Sequence, residues 1–336
     1  MMADDIFEFA TGDFAKAFTL DPQWHTITGR SLTWWPWVFS QRLDFQPPLL
    51  RNGLSLVRAT VTTELYGVPT KSVADVAEAV NVLNRAATLS AVLPSPWPIP
   101  ADFEGVCNLR CCCATTLHKQ ALQVNWRLMK MAASLQLDLA CNLIHTMQAF
   151  SRDTQSGANV QLPTSRRPDG ELRTSPDEMT TAAIELCESA TLRRSRFWNT
   201  FRATKGHVQT NASPDAFSKI SASDAELVIQ GSRAGRRFTL ILRADTPHPR
   251  YGPGLLALMF LDESKLTPAQ AIQLNLELTA GGLQSIGFGA WVSDVDQRAA
   301  WNCFVPDFAY EPSVGPNLAI YGIRAAEWVA EWIDSE

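Results

Sequence analysis

Residues 80–92, VNVLNRAATLSAV, lie over residues 274–286, LNLELTAGGLQSI, without a gap, pairing Asn81 with Asn275, Leu89 with Leu283 and Val92 with Ile286. Side-chain identity between the stretches is low, but each occupies the same place in an ordered series of helix-like and strand-like segments. Repetition of a whole series marks a duplicated structural unit. It confines the chain to folds that can be built twice.

The second half reads most plainly. Residues 180–201 have helical spacing, with Ala183, Ile184, Leu186, Cys187 and Ala190 leading to Phe197, Trp198 and Phe201. Strands are expected at 225–230, 237–244 and 255–261, separated by the turn Ser232-Arg233-Ala234-Gly235 and the Pro/Gly loop DTPHPRYGPG. Thr267-Pro268 opens a helix, with Thr as N-cap and Pro at its first position, and Gly281-Gly282 closes it. Strands at 285–292 and 300–305 precede a last helix over 316–333. The order is α-β-β-β-α-β-β-α.

The first half repeats that order. Its segments are a helix at 4–18, strands at 32–39, 42–45 and 54–65, and a helix at 72–87 with Ser72 as N-cap. Strands at 88–93 and 106–113 and a helix from 115 to about 147 complete it. The fold class expected is therefore α+β: two similar domains, each an antiparallel sheet of about five strands packed with helices. Residues 151–176 are polar, lack aromatics and contain Pro and Gly, so they are expected to form a flexible linker between domains 1–150 and 177–336. A length of 336 residues suits two domains at about 150 residues each.

Composition narrows the functional classes. Hydrophobic residues at 46% and charged residues at 19% exclude wholesale disorder. A formal charge of −5 argues against a nucleic-acid partner. The longest clean apolar run, 254–261, is far below the ~20 residues of a membrane span. The start, MMADDIFEF, is acidic and lacks the basic-then-apolar order of a signal peptide, so a cytoplasmic location is expected. Seven cysteines, three of them adjacent at 111–113, fit a reducing compartment, and the strand-like segment around them favours buried packing over redox or metal chemistry.

Motifs for catalysis are missing. The five histidines, at 25, 118, 145, 207 and 248, include no HExxH and no i,i+4 pair. The glycines of GGLQSIGFG run from helix into strand, the reverse of a dinucleotide loop, and neither GxxxxGK[ST] nor GxSxG occurs. No catalytic residue, metal ligand or cofactor is assigned. The candidates are for partner binding. Trp34, Trp35 and Trp37 would give a strand apolar on both faces, one face for the core and one for a partner or another layer. Trp198 sits in a basic stretch with Arg193, Arg194, Arg196, Arg202 and Lys205, readable as a phosphate or acidic-peptide contact or as a solvated face. Arg250 and Tyr251 lie between prolines in the 245–254 loop, a rigid display platform or a long hairpin connection.

This arrangement resembles the type III secretion chaperone fold and the bacterial sensory-transduction-regulator proteins that share it. The resemblance is carried by GLLALMFLDESKLTPAQAIQLNLELTAGG (254–282), SIGFGAWVSD (285–294), AAWNCFVPDF (299–308) and the Trp-rich helix ending at Trp332. It covers nearly all of 177–336 and, more weakly, 1–150. The first copy departs from it in a longer last helix and a Pro-rich insertion. The resemblance implies a non-catalytic chaperone or adaptor that binds a protein or peptide segment. It also implies a covalently tethered pseudo-dimer, a monomeric chain whose domains pair with each other. A small-molecule-binding regulator, or an enzyme using the cleft between domains, stays open as the other reading.

Overall fold

The computed structural model describes residues 3–69, 72–100, 105–119, 122–153, 163–177, 194–281 and 287–335. They form six α-helices and two antiparallel sheets, an α+β architecture. The chain divides into two compact units. The first comprises Met1–Val80, Val92–Leu186 and Leu278–Gly287; the second comprises Asn81–Ala91, Cys187–Glu277 and Phe288–Glu336. Neither unit is a contiguous half of the chain. Each is completed by a short stretch from the other half, and the two stretches correspond in the pairing of 80–92 with 274–286.

The first half runs α1 (Ala3–Ala17), β1 (His25–Thr28), β2 (Ser31–Trp34), β3 (Gln41–Phe45), β4 (Leu49–Arg51), β5 (Leu54–Pro69), α2 (Val73–Arg85), β6 (Ala91–Ser95), β7 (Val106–Leu117) and α3 (Leu122–Asp153). The second runs α4 (Phe201–Asn211), β8 (Lys219–Ala222), β9 (Glu226–Arg233), β10 (Arg236–Arg243), β11 (Gly254–Lys265), α5 (Pro268–Ala280), β12 (Ala290–Ser293), β13 (Arg298–Pro306) and α6 (Val314–Ser335). The first sheet is ordered β6-β7-β5-β3-β2-β1 and the second β12-β13-β11-β10-β9-β8. Strand for strand, the topology repeats. Among the described strands only β4, a short hairpin arm on β5, has no counterpart.

Local chemistry explains these elements. The turn between β4 and β5 is Asn52-Gly53, both with positive φ (50° and 74°), and Ala234-Gly235 plays the same part between β9 and β10. This primed turn matches the twist of paired strands. Helix α5 opens on a capping box: Gln270 N donates to Thr267 Oγ1 (3.2 Å) while Thr267 N donates to Gln270 Oε1 (3.0 Å).

In the first unit one sheet face packs beneath α1 and α3. Phe14 and Phe18 stack on each other and meet the Trp34 ring edge-on. Within this core runs a buried polar chain. Trp34 Nε1 donates to Gln41 Oε1, Gln41 Nε2 to Thr63 Oγ1 and Ala133 O, and Thr63 Oγ1 to Gln136 Oε1. Each partner is satisfied, which is what makes buried polar groups tolerable. In the second unit α6 packs on Leu240 so closely that a Cβ on Gly322 would lie 2.8 Å from Leu240 Cδ2.

Several expectations need correction. The tryptophan segment is not a strand through residue 39: β2 ends at Trp34, Pro36 follows, and Trp35 N instead donates to Trp24 O. Each sheet has six strands in its main path, because the short polar β1 and β8 carry no apolar run to announce them. Strand β7 continues to Leu117 through β-branched Thr115 and Thr116, so the following helix starts at Leu122. Of the helix expected over 180–201, residues 178–193 lie outside the described residues. The described part, 194–200, is a turn, with Asn199 at φ +68°, and α4 begins where that helix was to end.

The expected flexible linker also changes. Residues 151–153 belong to α3, 154–162 lie outside the described residues, and 163–177 are strapped onto the first unit. Ser165 N donates to Val38 O, Trp37 Nε1 to Thr174 O, Arg173 Nη1 to Trp35 O and Asp177 N to Pro36 O. Arg167 and Arg173 both lie over the Trp24 ring, at 4.8 and 5.2 Å.

Candidate functional site

Trp34, Trp35 and Trp37 are all buried in the first unit, at 1%, 5% and 7% exposure. They therefore fill core beneath α1 and the 163–177 strap and present no apolar face to solvent. Trp198, in the second unit, is half-buried beneath the Arg194 guanidinium (5.0 Å), in a turn held by Asp307, whose carboxylate accepts from Ser195 Oγ and Arg196 N. Tyr251 is buried and Arg250 half-buried. Their loop is braced by His248, whose Nδ1 accepts from Arg250 N (3.1 Å) and Tyr251 N (3.3 Å) and whose ring packs against Tyr251 and Phe304. The loop is a fastened connection. None of these six residues forms an open aromatic surface.

The six described cysteines are reduced and buried. Burial pushes the Cys107 and Cys112 thiols up, away from the reactive thiolate. Cys187 lies outside the described residues. Among the described residues no three His, Cys, Asp or Glu side chains gather as a metal site, and no helix is long and apolar enough to cross a membrane.

Two surfaces stand out instead, one in each unit. The first is the face of the second sheet turned away from α6. Leu240, Leu242, Leu255, Ala257 and Met259 point to the helix side and are buried. Strand alternation then places Val228, Ile241, Leu258 and Asn302 in one row on the opposite face. The flanking rows are Gln230, Thr239, Phe260 and Ala300, and Glu226, Arg243, Leu256 and Phe304. Residues 85–88 lie over the β13 end of this face: Asn302 Nδ2 donates to Arg85 O and Phe304 N to Thr88 O. Across β9, β10 and β11 Val228, Ile241, Leu256, Leu258 and Phe260 are half-buried, and the Arg298 guanidinium lies over the Phe260 ring (5.4 Å). Charges at its margin are already paired, Arg243 with Glu226 and Arg237 with Glu263.

The second is a cavity of about 500 Å³ within the first unit, on the sheet face away from α1 and α3. Cross-strand register places Arg42 beside Thr62, Thr62 beside Cys112, and Glu64 beside Arg110 on that face. Tyr66 and Asn108 line it further along, and Pro163, Thr164 and Ser165 of the strap contribute another wall. Elsewhere on this face the buried Arg58 donates to the carbonyls of Leu278 and Thr279 at the end of α5, and burial lowers its pKa to about 10. Nearby, Gly287 bridges to Ala114, where a Cβ would come within 2.9 Å of the Ala114 backbone.

The face turned from α6 had one signal in the sequence: unbroken apolar runs at 240–242 and 255–261, where a half-covered strand would alternate. The cavity had none, since its residues come from four strands and a strap. Comparison of the chain with protein-family models, curated proteins and solved structures finds no match.

Proposed function

We propose that this is a non-catalytic, cytoplasmic binding protein that holds a segment of another protein against one face of the second sheet. The observation that carries the reading is the set Val228, Ile241, Leu256, Leu258 and Phe260, side by side and half-buried on the sheet face turned from α6. Exposed faces of antiparallel sheets are ordinarily polar, and an apolar one marks an interaction site. Because the marginal charges are paired within the sheet, the partner is a segment with a row of apolar side chains and little net charge. This is the role that the chaperone resemblance implies, and buried free thiols suit a reducing compartment. The test is an immobilised library of unrelated 15-residue peptides probed with the full chain. Apolar-patterned peptides should be retained, with Ile241→Lys weakening them about tenfold or more. Leu50→Lys, at a leucine 75% exposed on β4, should leave retention unchanged. No selective retention, or equal retention by Ile241→Lys, overturns the reading.

A further inference from the structure

We propose that the cavity of the first unit is a binding site for a small organic oxyanion, a molecule bearing a carboxylate or phosphate group. The site is separate from the peptide-binding reading and does not depend on it. Its volume, about 500 Å³, lies within the range of metabolite-sized sites. Its chemistry is an excess of donors. Arg110 contributes a guanidinium whose Nε is buried and has no hydrogen-bond partner among the described residues. Arg42 uses Nε on Asp44 (2.8 Å) and one terminal nitrogen on Ser31 Oγ (3.1 Å), which leaves its other terminal nitrogen for a ligand. Asn108, Thr62 and Ser165 add amide and hydroxyl groups to the lining. Burial raises the Tyr66 phenol, so at neutral pH it stays protonated and able to donate.

The acceptor side is weaker. Glu64 is the one carboxylate in the lining, and its Oε2 already accepts from Ser40 N (3.1 Å) and Ser40 Oγ (2.9 Å). A cationic ligand would meet two arginines and an occupied carboxylate. An oxyanion would meet the Arg110 guanidinium, with its unpartnered Nε, and the remaining terminal nitrogen of the Asp44-paired Arg42, and arginine pairs with carboxylate or phosphate in its fork geometry. A neutral sugar would find hydrogen bonds but would bring no charge to meet Arg110, whereas Arg42 is already paired with Asp44.

The experiment uses the full chain at constant ionic strength, titrated separately with inorganic phosphate, succinate and glucose, and read by thermal shift and calorimetry. Phosphate or succinate should give a saturable rise in Tm, the better of the two identifying the anion class, and glucose should give none. Arg110→Gln should weaken that anion about tenfold or more, the scale of a lost charge-assisted hydrogen bond. Asn108→Ala, at an exposed position, should weaken it severalfold, and it decides the matter if Arg110→Gln fails to fold. Arg237→Gln, in the second unit, should leave affinity unchanged. Responses that never saturate, a glucose response equal to that of the anions, or affinity unchanged in the cavity variants overturn the proposal.

Discussion

In the first unit the sheet face turned from the helices carries Arg42, Asp44, Thr60, Thr62, Glu64 and Arg110; in the second, strands in the same topological places carry Thr239, Ile241, Leu256, Leu258 and Phe260. The helix-facing sides are both built mainly of buried aliphatic and aromatic residues, with the Gln41–Thr63–Gln136 chain as a polar insert in the first. The repeated topology thus keeps what makes the fold while the other face differs. Strand order depends on core pattern and turns, whereas function depends on the side chains grafted onto that frame. One frame presents a donor-rich cavity and the other an apolar sheet.

That contrast can be broken most directly with neighbouring residues on one strand. Leu240→Ala, beneath α6, should cost about 2–5 kcal/mol in urea unfolding, as for other buried leucines. Ile241→Ala, one residue on, should cost about 1 kcal/mol or less. In the first unit Leu43→Ala should resemble Leu240→Ala, while the exposed Arg42→Ala should stay within about 0.5 kcal/mol. An Ile241→Ala cost equal to that of Leu240→Ala would mean the apolar face is covered, removing the basis for the peptide reading.

A smaller effect tests how the repeats are joined. Asn275 Nδ2 donates to Trp291 O (2.8 Å) and its Oδ1 accepts from Trp291 N (2.8 Å). Asn81, its equivalent in the first half, does the same to Ser293, at 3.0 and 2.9 Å. Both asparagines therefore clamp the free edge of β12 within the second unit, where unpaired backbone groups would otherwise be buried or available to another chain. Asn275→Ala should cost about 2 kcal/mol, the penalty for orphaning buried backbone groups, and Asn81→Ala less, since Arg85 Nη2 also donates to Ser293 O (3.0 Å). If Asn81→Ala is neutral while Asn275→Ala is not, the second unit does not rely on the stretch 81–91.

The pairing of Asn81 with Asn275 was legible in the sequence, and so was the α+β order, because apolar periodicity and caps such as Thr267-Pro268 are local signals. What Asn81 pairs with was not. Nothing in VNVLNRAATLSAV distinguishes an asparagine that clamps a strand in its own half from one that clamps β12. The tryptophans misled for a related reason. Trp34-Trp35-Pro36-Trp37 has strand-like residues, but Pro36 turns the chain, and the strap that covers Trp37 is more than a hundred residues away in sequence. The 163–177 strap itself has the composition of a linker. Its order comes from Arg167 and Arg173 lying over Trp24 and from backbone bonds to residues 35–38, long-range pairings that composition does not encode. The cavity residues were unreadable because Arg42, Glu64 and Arg110 become neighbours only through the register of β3, β5 and β7.

The smallest effect concerns how dry the polar face of the first unit is at its centre. Cys112 shares that face with Arg110 and Thr62 and is buried. Burial is the main influence and raises its thiol, opposed by the nearby Arg110 charge and by the contact with Thr62 Oγ1. A thiol whose folded pKa lies above its unfolded value of about 9 holds its proton more tightly in the native state. Its contribution to stability is therefore complete below pH 9 and lost as pH rises through the folded pKa. Under reducing conditions, urea unfolding of the full chain at pH 7 to pH 10 should show stability falling at the alkaline end. Cys112→Ala should flatten that fall even though it lowers stability at pH 7 through lost packing. Cys107→Ala should act in the same direction, since burial raises that thiol too. Parallel pH curves for wild type and Cys112→Ala would show that water reaches the thiol. The polar cavity would then extend across the whole face, and its contrast with the second unit would be wider than the burial of Cys112 implies.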